Sequence, residues 1–265
     1  KMNKTIALIP HYNNFSGLVK TILSIDVDEK VDILIIDDGS SKDQIDESIL
    51  KSKCFFKGSI FIQYLKKNSG IEIALNFGLE TITKLNRYEY IARIDCGDCC
   101  IGKRFAIQEN FLESNSTIAL VGSNAIAVDL DGNELYKTIF PEKHQDIKNK
   151  MYLNAMFLHP CIMFRSKILS KIGFYPTEFT AAEDYAFFFT IINKFESYNI
   201  QQFLVQYEIN NKGISITKRT QQVKSRIKII RKHYYFSFWP TYGLLRNIGL
   251  LIIPNSFIHF IKKLK

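Results

Sequence analysis

The chain has 265 residues, 46% of them hydrophobic and 13% aromatic, with a formal net charge of +9. So much apolar side chain has to be buried, which excludes a disordered or fibrous protein, and the length suits one large domain or one domain with an appendage. The charge is segregated. Residues 209–265 hold 12 Lys or Arg and no Asp or Glu, whereas the preceding 208 residues are net −3, so a mildly acidic body carries a basic tail.

Residues 5–9 are an apolar run closed by Pro10, the pattern of a buried parallel strand. A helix is expected over 14–24, with Phe15, Leu18, Val19 and Ile22 on one side. Strands follow at 31–36, 60–65 and 88–94, with helices near Ile45 and over 71–85. This alternation predicts an α/β fold with a central, mostly parallel sheet flanked by helices, which binds ligands at the carboxyl ends of its strands. Polar clusters fall at those ends, at 10–13, 37–40, 68–70 and 95–98. Beyond residue 98 the pattern is mixed. Helices are expected over 105–112, over 166–172 with Gly173 as a left-handed cap, and over 182–195; strands are expected over 118–128, 158–164 and 203–209. A domain of residues 1–216 followed by a helical extension of residues 217–265 accounts for the whole pattern.

Five cysteines (Cys54, Cys96, Cys99, Cys100 and Cys161) are an odd number in a chain too large to need staples, and free thiols in a reducing compartment are expected. Cys96 and Cys99 lack the second pair or His partner that a zinc site needs. No secretory signal is read at the amino end, and no stretch of 18 apolar residues is present. A cytoplasmic location follows as the expectation.

Three acidic sites stand at the ends of separate elements. Asp37 and Asp38 follow an apolar strand and precede Gly39, where they either cap the next helix or accept hydrogen bonds from a ribose or base. The first strand is followed by Pro10-His11-Tyr12-Asn13 rather than by the glycines of a dinucleotide fold, and no phosphate-binding GxxxxGK[ST] loop occurs. Asp95 and Asp98 flank Gly97 after Arg93. They form either a capped turn or a place for a divalent cation that also touches a diphosphate, because Mg²⁺ takes one or two carboxylates and completes its shell with water and phosphate. Glu183 and Asp184 open an apolar helix, as partners of its dipole or as a rigidly held general base.

Taken in order, Ile9-Pro10-His11-Tyr12-Asn13, Ile36-Asp37-Asp38-Gly39-Ser40, Asn68-Ser69-Gly70 with Ala74 and Asn76, Arg93-Ile94-Asp95-Cys96-Gly97-Asp98, His159-Pro160, Gly173-Phe174-Tyr175 and Glu183-Asp184-Tyr185 resemble the family 2 glycosyltransferases of the GT-A fold. The resemblance is collinear over residues 4–216 and extends to bacterial surface-polysaccharide enzymes. It implies inverting transfer of a sugar from a nucleotide-diphosphate donor, a UDP-sugar by preference, to a hydroxyl of a lipid-linked or oligosaccharide acceptor in lipopolysaccharide or capsule synthesis. By that resemblance Pro10, Tyr12, Asp37, Asp38, Asn68, Gly70, Arg93 and Asp95 bind the nucleotide-sugar. Asp98, with Asp95, faces Mg²⁺ or Mn²⁺ and the diphosphate. Asp184 is the general base, and Glu183, His159 and Pro160 lie on the acceptor side. Two departures stand out: the family commonly reads Asp-x-Asp-Asp where this chain has Gly97, and Tyr-Arg-x-His where it has Tyr207-Glu208-Ile209-Asn210. Lys212, Lys218 or Arg219 is the expected source of the missing positive charge. The alternatives are a sugar-nucleotide nucleotidyltransferase, which would want a glycine-rich basic loop after the first strand, and a non-catalytic membrane-associated sugar-nucleotide-binding protein.

The tail permits a basic helix over 221–232, followed by Tyr234, Tyr235, Phe236, Phe238 and Trp239, and later by the apolar run 250–253 and Lys262, Lys263 and Lys265. Basic heads beside aromatic and aliphatic groups suit an interfacial element on an anionic membrane surface, and peripheral attachment at the cytoplasmic face is expected. A pair of helices packed on the body is the alternative. Nothing in the tail resembles a groove-reading nucleic-acid motif.

Overall fold

The computed structural model describes residues 2–209 and 218–252. Asn210, which ends the Tyr207-Glu208-Ile209-Asn210 segment, Lys212, Ile253 and the three terminal lysines lie outside the described residues.

The first half follows the expected alternation. Strands β1 (Thr5–His11), β2 (Val31–Asp37), β3 (Ile60–Tyr64) and β4 (Tyr90–Arg93) are parallel, with helices α1 (Phe15–Leu23), α2 (Glu47–Ser52) and α3 (Ile71–Leu85) in the crossovers. In register, Pro10 and His11 lie beside Ile36 and Asp37, so the two polar clusters after β1 and β2 emerge side by side. Alternation along β1 sends Ile6 and Leu8 into one core and Ala7 and Ile9 into the other, which is why both faces of the sheet are covered.

The remaining strands are β5 (Cys99–Cys100), β6 (Ile118–Val128), β7 (Glu134–Thr138), β8 (Met163–Arg165) and β9 (Glu196–Glu208). Among the described residues nine strands make one mixed sheet in the order β3-β2-β1-β4-β8-β6-β9-β5, with β7 paired to β6. Helices α4 (Arg104–Ser114), α5 (His144–Lys150), α6 (Leu169–Ile172) and α7 (Glu183–Ile192) complete the body. Gly173 follows α6 with the positive φ expected of it, +75, but its ψ of −163 is extended and not that of a left-handed cap.

Three expectations are corrected. The strand expected over 158–164 is a 3-10 turn, His159–Cys161, followed by the short β8. The helix expected to reach 195 stops at Ile192, and the strand expected from 203 begins at Glu196. The first half of β9 is hidden in the sequence because two of its inward residues are polar: Asn199 is fully buried and donates to the carbonyls of Pro141 and Met156, and buried Ser197 bonds His144.

The helical extension is present as α8 (Arg219–Lys232) and α9 (Phe238–Ile252), and it shares the core of the body. Ile229 and Ile230 are fully buried in the same cluster as Phe188 and Phe189. Helix α9 crosses Tyr152 so closely that a Cβ on Gly243 would stand 2.4 Å from the Tyr152 carbonyl oxygen. Among the described residues no helix is long and apolar enough to cross a membrane.

Candidate active site

The ends of β1 and β2 and the start of α3 enclose a cleft of about 440 Å³ whose walls include Pro10, Tyr12, Asp38, Asn68, Gly70 and Asp95. Six of the expected nucleotide-sugar residues are thereby brought together. A larger hollow of about 740 Å³ lies near Lys4, Lys57 and Glu109 at the opposite ends of the strands, away from the polar clusters. Asp38 is buried, and its two carboxylate oxygens accept the amides of Ser69 (2.8 Å) and Gly70 (2.9 Å). Burial pushes its pKa up. Each oxygen keeps a further lone pair for a ligand.

Asp37 has a supporting place. It is 3% exposed and accepts from His11 Nδ1 and from the Ser40 amide, at 2.8 and 2.7 Å. The Asn14 amide donates to His11 Nε2 at 3.3 Å, which assigns the proton to Nδ1. Asp37 thus locks the loop that carries Asp38 to the loop that carries Tyr12.

Arg93, expected to bind the nucleotide-sugar, is 1% exposed and is not among the residues lining the cleft; it braces Asp95 from within, Nη2 donating to Asp95 Oδ1 and Nη1 to the Ile94 carbonyl, both at 2.5 Å. Asp98 does not face the cleft as expected. It is 6% exposed, and Oδ1 accepts the backbone amide of Glu208 at 2.9 Å, pinning β9 to the 95–98 turn. Burial, with Asp95 nearby, raises its pKa well above its ordinary value. Gly97 has φ +102 and no side chain; a Cβ there would lie 3.5 Å from the Glu208 carboxylate, which is itself paired with Lys20 at 3.2 Å. Among the described residues no three His, Cys, Asp or Glu side chains come together to hold a metal ion. The Mg²⁺ or Mn²⁺ expected on Asp98 and Asp95 therefore has no preformed cluster among the described residues: Asp98 Oδ1 is taken by the Glu208 amide and Asp95 Oδ1 by Arg93.

Glu183 and Asp184 open α7 after Ala181, whose φ of +58 bends the chain so that both carboxylates stand at the helix start. Burial and the neighbouring Asp184 push Glu183 up to about 7. Burial raises Asp184 as well, with Asp95 adding to the shift and Arg226 opposing it. Neither Glu183 nor Asp184 is among the residues that line the cleft; Asp95, which does line it, is near enough to Asp184 to act on its charge. Asp184 Oδ1 accepts the Tyr185 amide at 2.6 Å, which orients it. A carboxylate held in place and made more basic by burial is suited to take a proton.

His159 and Pro160, expected on the acceptor side, are both buried. His159 Nε2 bonds Tyr175 Oη at 2.8 Å, and burial with Arg93 nearby lowers its pKa well below the usual imidazole value, so the ring is neutral. These two residues support the site from inside.

Several contributors escape a reading by sequence. Asn13, at φ +48, accepts three amides in a row, from Ser41, Lys42 and Asp43, and so closes the loop after β2. An Asn-Asn pair after a strand is the local signal for such a left-handed position. Arg226 on α8 lies 5.4 Å from the Tyr185 ring centre and close enough to Asp184 to influence it, and no local pattern announces that.

The sequence profile described as Glycosyl transferase family 2 matches residues 6–173. The Erwinia amylovora amylovoran biosynthesis glycosyltransferase AmsE is 28% identical over 203 residues, 74% of this chain and 74% of its own length. The Escherichia coli UDP-Gal:alpha-D-GlcNAc-diphosphoundecaprenol beta-1,3-galactosyltransferase is 24% identical over 242 residues, 88% of this chain and 84% of its own. Among solved structures, mannosyltransferase PcManGT from Pyrobaculum calidifontis, in complex with GDP-Man and Mn²⁺, superposes with a TM-score of 0.64 at 13% identity, covering 97% of this chain and 72% of that one.

Proposed function

The chain belongs to glycosyl transferase family 2, and from that premise we propose that it transfers a sugar with inversion from a nucleoside-diphosphate donor to an acceptor hydroxyl, with Asp184 as the general base. Glycosyl transfer from a nucleotide-sugar in polysaccharide biosynthesis is the function that the family and the polysaccharide enzymes among its relatives support. The observation that carries the mechanism is the acid pair at the start of α7, both members raised by burial, with the cleft-lining Asp95 near enough to act on Asp184.

In this reading the base of the nucleotide lies between Pro10, Tyr12 and Asp38. Asp184 removes the acceptor proton as its oxygen attacks the anomeric carbon from the face opposite the leaving group. One carbon–oxygen bond forms, the bond to the diphosphate oxygen breaks, and the nucleoside diphosphate departs. Inversion by one displacement needs a base and a neutralised leaving group, with no enzymic nucleophile. Glu183 orients the acceptor, and His159 and Pro160 support that side from within.

A lipid-linked acceptor accords with the diphosphoundecaprenol named for the Escherichia coli relative. The C-terminal helices supply a matching surface. Phe238, Tyr242 and Leu245 recur at helical spacing along the outward side of α9 and are 68, 48 and 63% exposed, while Pro240, Gly243 and Asn247 face inward. Phe236 at the corner is 91% exposed, and Lys224 and Lys228 stand exposed on α8. An apolar outward face beside cations favours peripheral docking on an anionic bilayer at its cytoplasmic side. Incubation of the full chain with UDP- and GDP-sugars and a polyprenyl-diphosphate sugar acceptor tests the reaction. Formation of an inverted glycoside is expected, and inactivity across the donor panel would overturn the reading.

A further inference from the structure

A departing nucleoside diphosphate carries negative charge that the protein must meet with a cation. At the Asp95 end of the cleft the usual means is missing, since Gly97 has no ligand, Asp98 is committed to the Glu208 amide and Asp95 to Arg93. Of the cations already described, Arg226 sits beside Tyr185 and Asp184, and the two near Asp95 and Gly97 are engaged. Arg93 is enclosed, with both terminal nitrogens bonded, and Lys20 pairs with Glu208. Lys218 differs from both. It stands at the N-cap of α8, is exposed, and lines the same cleft as Tyr12, Asp38 and Asp95. Among the described residues its ammonium has no hydrogen bond or ion pair. It is also held in place from behind: α8 is anchored by Val223, Ile227, Ile229 and Ile230, all buried, and by Ser225 Oγ, which donates to the Thr180 carbonyl at 2.9 Å.

We propose that Lys218 is the cation that contacts the donor diphosphate and neutralises the leaving group, so that donor binding does not depend on a divalent ion. This assignment rests on the donor-site reading above. A lysine suits the task, because its ammonium is a compact charge on a flexible stem that can follow the phosphate as the bond breaks. The Lys20–Glu208 pair beside Gly97 then has a consistent role, holding a carboxylate neutralised where an ion would otherwise be drawn.

Calorimetric titration of the full chain with UDP and with GDP, in excess EDTA and in excess Mg²⁺ or Mn²⁺, tests this directly. At least one diphosphate is expected to bind in EDTA with an affinity within threefold of that in metal. Lys218→Ala is expected to weaken that binding at least tenfold, Lys218→Arg to restore most of it, and Lys150→Ala, at an exposed lysine on α5, to leave it unchanged. Diphosphate affinity that falls tenfold or more when metal is removed would overturn the proposal, as would wild-type affinity in Lys218→Ala. A wild-type chain that binds neither nucleotide under any condition would overturn the donor-site reading itself, and this assignment with it.

Discussion

Asn76 and Tyr175 hold each other by two reciprocal hydrogen bonds: Asn76 Nδ2 donates to the Tyr175 carbonyl and the Tyr175 amide donates to Asn76 Oδ1, each at 2.8 Å. The Tyr175 ring stacks on Phe187 with centres 4.2 Å apart, and its hydroxyl meets His159. Helix α3, which borders the nucleotide cleft, is thus clamped to the segment that leads into the acid pair. Asn76→Ala leaves a donor and an acceptor without partners, at a cost of about 1–3 kcal/mol for each group that stays buried. A lower urea midpoint is expected, with Asn76→Asp intermediate because it restores only the acceptor; an unchanged midpoint would count against the clamp.

Asp184→Asn removes proton transfer and keeps the shape. Turnover is expected to fall by about 10²–10⁴ with nucleotide affinity unchanged. Glu183→Gln is expected to act mainly on the acceptor KM. Single-turnover kinetics on the true acceptor check both, and Asp184→Asn within threefold of the parent would remove Asp184 from the base role.

The pH dependence follows from the same pair, which titrates as a unit. The base works deprotonated, and burial raises both Asp184 and its neighbour Glu183, so kcat/KM should begin to decline at a pH above the ordinary carboxylate range. Glu183→Gln removes a neighbouring negative charge and should move that limb to lower pH. For stability the sign is opposite. A raised folded-state value means that the native protein binds the proton more tightly, so acidification from about 7 toward the unfolded-state value favours folding at this site. A pH–rate profile and a pH series of unfolding midpoints separate the two effects.

Liposome flotation tests the surface of α9. The full chain is expected to float with vesicles rich in anionic lipid at low salt, and a remainder held by inserted aromatics should persist as salt screens the lysines. Combining Phe238→Ser, Tyr242→Ser and Leu245→Ser should abolish that remainder with the fold intact, because these side chains point outward. Deleting 221–265 is a poorer test, since Ile229 and Ile230 are core residues. A wild-type chain that stays with the soluble fraction would assign the face to a protein partner.

The sequence by itself determined the α/β alternation, the polar clusters at the strand ends and the acid pair opening α7. These are local features: an apolar run ends, the chain leaves the sheet and Asp37-Asp38 or Asp95 follow within a residue or two, while Glu183-Asp184 stand directly before the apolar run of a helix. Tertiary structure decided which of those carboxylates are available. Asp98 turns inward because β9 passes beside it and offers the Glu208 amide from 110 residues away. His159 is withdrawn by Tyr175, and Asp37 is occupied by His11. The same holds for the cations, since of Lys218 and Arg226 on one basic helix the first lines the cleft and the second lies behind Asp184. Periodicity reports which face of an element is apolar, but what a polar side chain meets depends on a distant segment brought up by packing. That partner decides whether a carboxylate binds a ligand or a backbone amide.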